Sequence, residues 1–574
     1  MHILKIAAAD CYQAYLNGDF LAAGPARTAS GFSRVDEIKF TAREGENVLT
    51  ILVAAYHVNT FQYAPNDGFL QAEILWENDV FAFTDENTAV FEIAERQKRV
   101  QRYSFQRAFT EIWNLGPQYS DIFTGKRVWE NHRARVVKGT TLLLRRSAIP
   151  KFGRLSSVPI SGGKMQAGMD YEDKPVLCSP PFLQPTPVFK AYAADQLETD
   201  LVHELRGFRT EERHAIQKDR LFSGEFGIYD LGVDGCGFIE ITVKALQNST
   251  LYILFDEILA DGDVDCFRLN CINCVKYTFE KGDYHTISLE PYCLRYAKIY
   301  CSVGHVIIGN FSLIEVANPN ADHFVFRNSD AGIQKIFDAA LNSFQYNAVD
   351  ILMDCPSRER AGWLCDGYFT GKAEHVLTGK NDIEHDFLEN FILKETYEHI
   401  PDGMIPMCYP GEHLDGNYIP TWAMWYILEL HRYLSDCGDK DLIMRSEKKV
   451  RQILNYLQKY ENEYELLENL AGWVFIEWSR AAEFTNGVNY CANMLYALSL
   501  QRAGELYADE KFLLKAQRIK TRIRSRSYNG RFFADHSIRD KNGELVLCGD
   551  ISEVCQYYAF FSETATPETY PELW

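Results

Sequence analysis

The chain has 574 residues, 47% of them hydrophobic and 24% charged, the balance of an ordinary globular protein too long for one domain. A formal net charge of −20 repels phosphate backbones and anionic lipid headgroups. With no run near the roughly 18 apolar residues of a spanning helix, neither nucleic acid nor membrane is expected as a partner.

The opening Met1–Asp10 (MHILKIAAAD) has no apolar run followed by a small-residue cleavage site, so it reads as a strand rather than a secretory leader, and a cytoplasmic location is expected. The fifteen cysteines are scattered and odd in number, which fits reduced thiols. Up to about residue 320 the chain is strand-like, with short runs such as AEILW, FIEITVKA and STLYILF punctuated by Gly, Asn, Asp and Pro. Asn17-Gly18 supplies the positive φ of a tight hairpin. Gly and Pro are dense over 158–187, and a boundary there gives two β-sandwich modules, 1–157 and 158–320. Cys266, Cys271 and Cys274 contain one CxxC without a second CxxC or a paired His at zinc spacing, and no oxygen-rich loop demands calcium. No cofactor or metal is expected.

After Asn318-Pro319 the period changes. Ser329 and Asp330 can cap a helix whose Ile333, Ile336, Phe337, Ala340, Leu341 and Phe344 fall on one face, which should be buried. Helical segments follow at about 363–379, 383–396, 420–436, 442–459, 487–506, 510–527 and 550–562. No internal repeat stands out, so the expected architecture is β-sandwich modules followed by helical hairpins over 321–574.

The densest polar cluster lies just after the first of these helices: Asp354, Arg358, Glu359, Arg360, Trp363 and Asp366. Pro356 disfavours helix for Cys355, which makes Asp354–Arg360 a loop at a helix end. Glycoside hydrolysis needs one carboxyl to protonate the leaving oxygen and a second to act as base or nucleophile. Asp354 and Asp366 push the pKa of Glu359 up, whereas Arg358 and Arg360 pull it down, and sequence does not give the net sign. The competing reading is a set of surface ion pairs at a helix end, with Trp363 in the core.

Asp354–Asp366 (DCPSRERAGWLCD) resembles the signature of glycoside hydrolase family 78, the α-L-rhamnosidases. The resemblance implies an inverting enzyme with an (α/α)6 six-hairpin barrel. It implies Glu359 as general acid, Asp354 and Asp366 as sugar-binding residues, and Arg358 and Trp363 in the same subsite. Cys365 stands where the family often has Gly, and the optional Asp before the Glu is missing. Tyr15–Gly18, Gly24–Arg27 and Asn59–Tyr63 are similar to the family's N-terminal sandwich. Glu225–Phe238, Phe255–Glu257, Arg268 and Leu294–Tyr296 look like its second sandwich. Gly472–Trp478 resembles an Asp-Trp segment on the barrel rim, and Glu477, standing for that Asp, and Trp478 are expected substrate contacts. A polar Glu477 inside an apolar run should also need a buried partner.

The family's general base sits on a late hairpin in a segment resembling GTLWE, which this sequence lacks. A twelve-helix barrel needs more chain than follows residue 320, so the barrel is expected to be incomplete, the base to lie beyond Trp574, and the chain to be a fragment that is inactive alone. The expected partner is a rhamnose-containing oligosaccharide or glycoside. The alternatives are a non-catalytic carbohydrate-binding protein and a six-hairpin glycosidase for another sugar. Aglycone preference and oligomeric state are not legible.

Overall fold

The chain builds two units, Met1–Ala361, which holds the strand-like half together with the first helix of the helical half, and Gly362–Trp574. The structure, a computed structural model, describes residues 1–64, 66–127, 132–166, 191–214, 219–411 and 415–574. The Gly/Pro-rich stretch expected to mark a boundary begins as the strand Val158–Gln166, and 167–187 lies outside the described residues.

In the first unit, a five-stranded sheet runs in the order Thr141–Leu144, Phe32–Phe40, His2–Ala9, Phe69–Trp76, Asp79–Phe83. Alternation along His2–Ala9 turns Leu4, Ile6 and Ala8 to one face, where they meet Tyr12, Ala14 and Ala22 of a three-stranded sheet. That smaller sheet turns at Asn17-Gly18, whose φ values of 56° and 94° are those the Asn-Gly pair was expected to supply. The larger sheet of eleven strands is organised on the 21-residue strand Glu225–Ala245. It also draws in Glu111–Leu115, which pairs in parallel with Cys274–Phe279. Ile239, Ile241, Leu251, Ile253, Phe255, Ile299 and Leu313 are fully buried within it.

From residue 331 onward the described residues hold eight α-helices: Ala331–Asn347, Leu364–Thr378, Asp382–Leu393, Pro420–Cys437, Lys440–Gln458, Tyr490–Tyr507, Glu510–Ser527 and Glu553–Phe561. Asp330 caps the first, accepting from the backbone N–H groups of Gly332 and Ile333. The expectation that its apolar face is buried fails. Ile333 and Ile336 are 46% and 71% exposed, and only Phe344 and Tyr346 are buried. Helical period sets which residues share a face, but burial also requires a neighbour against that face.

The second unit alternates two kinds of helix. Pro420–Cys437 and Tyr490–Tyr507 are buried nearly all round, whereas Lys440–Gln458 and Glu510–Ser527 bury one face only. Leu364–Thr378, Pro420–Cys437, Tyr490–Tyr507 and Glu553–Phe561 pack side by side as an inner layer, and the intervening helices back them. Among the described residues no helix is long and apolar enough to cross a membrane.

Candidate active site

Helix Ala331–Asn347 leads into Val349–Met353, a buried segment that feeds the loop Asp354–Ala361. The loop closes on itself. Asp354 N–H donates to the Ala361 carbonyl at 3.0 Å, Arg360 N–H to the Cys355 carbonyl at 3.1 Å, and Ala361 N–H to Asp354 Oδ1 at 3.2 Å. Glu359 is 7% exposed, and Arg358 Nη2 donates to its Oε1 at 2.5 Å. Asp354, Arg358 and Glu359 thus share one closed loop.

Three distant side chains grip this loop by its carbonyls. Arg107 Nη1 donates to Ser357 O at 2.9 Å, Ser104 Oγ to Arg358 O at 2.9 Å, and Arg27 Nη1 to Arg360 O at 2.5 Å. Both arginines are themselves fixed. Arg27 forms a bidentate pair with Asp350, at 2.8 Å from Nε and 2.7 Å from Nη2. Arg107, 1% exposed, reaches Gln62 Oε1 and Glu290, and Glu290 also accepts from Tyr56, Gln62 and Tyr63. Gly24–Arg27 and Asn59–Tyr63 thus act as more than turns. They set Arg27 and Arg107 under the loop, two positioning residues that no local signal marks.

Burial, and next the charge of Glu359, push Asp354 up to about 7. A carboxyl raised on folding contributes stability below its unfolded pKa of about 3.9 and loses it as pH rises through about 7. Chemical denaturation of Asp354→Asn at pH 4.5 and 7.5 should therefore show a smaller loss of stability between the two than the wild type does. An equal loss in the two proteins would show that Asp354 is not responsible.

The remaining sequence-predicted residues lie in the second unit. Gly362-Trp363 pairs with Cys408-Tyr409, which seats half-buried Trp363 as N-cap of Leu364–Thr378 and puts Asp366 in that helix's first turn. Cys365, the departure from the signature, is half-buried, and burial and then Asp366 push its thiol well up. Glu477 and Trp478 are exposed, Trp478 at 82%. The expected buried partner for Glu477 is thus not required, because only the flanking Val474–Ile476 is buried. Trp478 and Trp473 pack on Phe475, and the Tyr558 hydroxyl donates to Ile476 O at 3.3 Å. Trp422 and Trp425 are buried among Tyr368, Phe475 and Phe561.

The described cysteines form no disulfide, and among the described residues Cys266, Cys271 and Cys274 do not close into a three-ligand cluster.

Residues 321–530 match the family described as the bacterial alpha-L-rhamnosidase six-hairpin glycosidase domain. The whole chain superposes on 78% of the family 78 rhamnosidase of Bacillus sp. GL1, with a TM-score of 0.84 at 16% identity. It superposes on 50% of the Streptomyces avermitilis alpha-L-rhamnosidase complexed with L-rhamnose, with a TM-score of 0.64 at 14% identity. For the Klebsiella oxytoca rhamnosidase with rhamnose bound, 74% of this chain covers 79% of that one, with a TM-score of 0.54 at 17% identity. No curated protein sequence matches the chain. A β-rich first half and a helical second half are the fold of those enzymes, and the stretch of this chain that matches the bacterial alpha-L-rhamnosidase six-hairpin glycosidase domain is residues 321–530, in its helical part.

Proposed function

We propose that the protein hydrolyses terminal α-L-rhamnosides with inversion, Glu359 protonating the glycosidic oxygen as the bond breaks. The observation that carries this reading is the placement of Glu359. It is a buried carboxyl on a loop whose carbonyls are held at three points, with one oxygen engaged by Arg358. Such fixing lets a general acid act without reorganising at the moment of proton transfer. Asp354 beside it, with Trp363, Asp366, Glu477 and Trp478 in the helical unit, are the proposed sugar contacts, Arg358 sharing the subsite. An inverting reaction also needs a second carboxylate roughly 6.5–9.5 Å from the acid to activate water, and no described residue is assigned that role. The rhamnose held by the Klebsiella oxytoca and Streptomyces avermitilis enzymes supports L-rhamnose as the sugar.

A panel of aryl glycosides tests the substrate. The α-L-rhamnoside should be hydrolysed at least about tenfold faster than the others, since a pocket discriminating one substituent supplies roughly 1–3 kcal/mol. Faster cleavage of a different sugar would make the protein a six-hairpin glycosidase of another specificity. Saturable rhamnoside binding without cleavage would make it a carbohydrate-binding protein.

A further inference from the structure

Arg360, next to the proposed acid, is 5% exposed and holds a φ of 54°, a conformation that costs a non-glycine residue about 1–3 kcal/mol and persists only where its surroundings dictate it. Its guanidinium is a buried charge, and such a charge needs an opposite one. The groups that act most strongly on it are Cys236, Arg107, Cys293 and Tyr63, with no carboxylate among them. Arg360 Nη1 instead donates to Cys236 Sγ at 3.1 Å and to Pro356 O at 3.0 Å. Cys236 Sγ also lies 3.7 Å from that same carbonyl, the long contact a neutral thiol would donate into, whereas Arg360 Nη1 donates to the sulfur at 3.1 Å. Cys293 lies directly opposite Cys236 on the neighbouring antiparallel strand, where its thiol can donate to the Cys236 sulfur.

We propose that Cys236 is a thiolate whose ion pair with Arg360 holds the Glu359 loop in place, making Cys236 a positioning residue for the acid. The role, though not the charge state, rests on the reading of Glu359 given above. Cys236 is 1% exposed on the central strand of the large sheet and shares a small cluster with Cys293, Ala317 and Tyr346. The titratable and charged groups facing it are Cys293, Arg360, Arg107, Asp234 and Tyr346. The Cys293 hydrogen bond, followed by Arg360 and Arg107, outweighs burial and lowers the Cys236 thiol, whereas burial first of all raises Asp234, to about 7, and the Tyr346 hydroxyl. A thiolate is an anionic acceptor toward guanidinium N–H groups.

The test uses the full chain without substrate. The far-ultraviolet thiolate band of the wild type should titrate in below neutral pH, and Cys236→Ser should lack that component. Burial, the leading cause in each case, raises Cys266, Cys271 and Cys301 to about 12, which keeps those thiols out of that range. Amide exchange across Asp354–Ala361 should be roughly tenfold faster in Cys236→Ser and return toward wild type in Cys236→Asp, which restores the charge. Where rhamnoside cleavage is measurable, Cys236→Ser should lower kcat roughly tenfold with KM unchanged. A wild-type band that titrates only above neutrality overturns the thiolate, and needs no variant to fold. Unchanged exchange in Cys236→Ser overturns the positioning role. A chain that cleaves no glycoside but shows the band and the exchange response refutes the proposed function and leaves the ion pair standing.

Discussion

Glu359→Gln should lower kcat on aryl α-L-rhamnosides by about 10² to 10⁴ while leaving KM and the unfolding midpoint close to wild type. The amide keeps the volume and the acceptor toward Arg358 Nη2, so the loop geometry survives. What is lost is a proton that can be given to the leaving oxygen. The loss should shrink as the aryl leaving group becomes more acidic, since a leaving group that departs as a stable anion needs less protonation. Cleavage near the wild-type rate, or a loss equal for good and poor leaving groups, would remove Glu359 from the role of acid.

Asp350→Asn should destabilise the protein by about 3–5 kcal/mol, the usual result of removing one partner from a buried ion pair. The Arg27 and Asp350 side chains are 7% and 10% exposed, and the pair is bidentate. Burial alone would raise the Asp350 carboxyl, but the Arg27 charge and hydrogen bonds, with Arg145 adding, hold it well below the usual range. A carboxyl depressed on folding contributes stability above its unfolded pKa of about 3.9 and loses it as pH falls through the folded value. Wild-type denaturation midpoints should therefore drop below about pH 4 more steeply than those of Asp350→Asn. Because Arg27 also holds the Arg360 carbonyl, the variant should lose activity beyond what its stability explains. A variant as stable as wild type at neutral pH would show that Arg27 finds other compensation.

The gain from that anchoring is local. The proposed proton donor sits on a loop, and loops move unless tertiary contacts fix them. Here Arg27, Ser104 and Arg107 fix the loop through its backbone, so side-chain changes inside the loop leave the anchors intact.

The signals that are local in sequence were legible without a structure. The Asn17-Gly18 turn, the Asp330 cap, and eight helices within a few residues of their expected ends follow from backbone preference and periodicity, which act over one turn of chain. Asp354, Arg358 and Glu359 come together because they are four and one residues apart on one loop. The anchors were not legible, because Arg107, Ser104 and Arg27 stand 250, 254 and 333 residues from the carbonyls they hold, and Cys236 stands 124 from Arg360. Nor did period decide burial: the apolar face of Ala331–Asn347 is regular yet exposed, and Glu477 sits outside the buried run. The sequence by itself determined which segments become strands and helices and which carboxyl, Glu359, shares one loop with Asp354 and Arg358. Only the tertiary structure decided which side chains hold that carboxyl still, because those contacts join strands and loops whose pairing no local preference encodes.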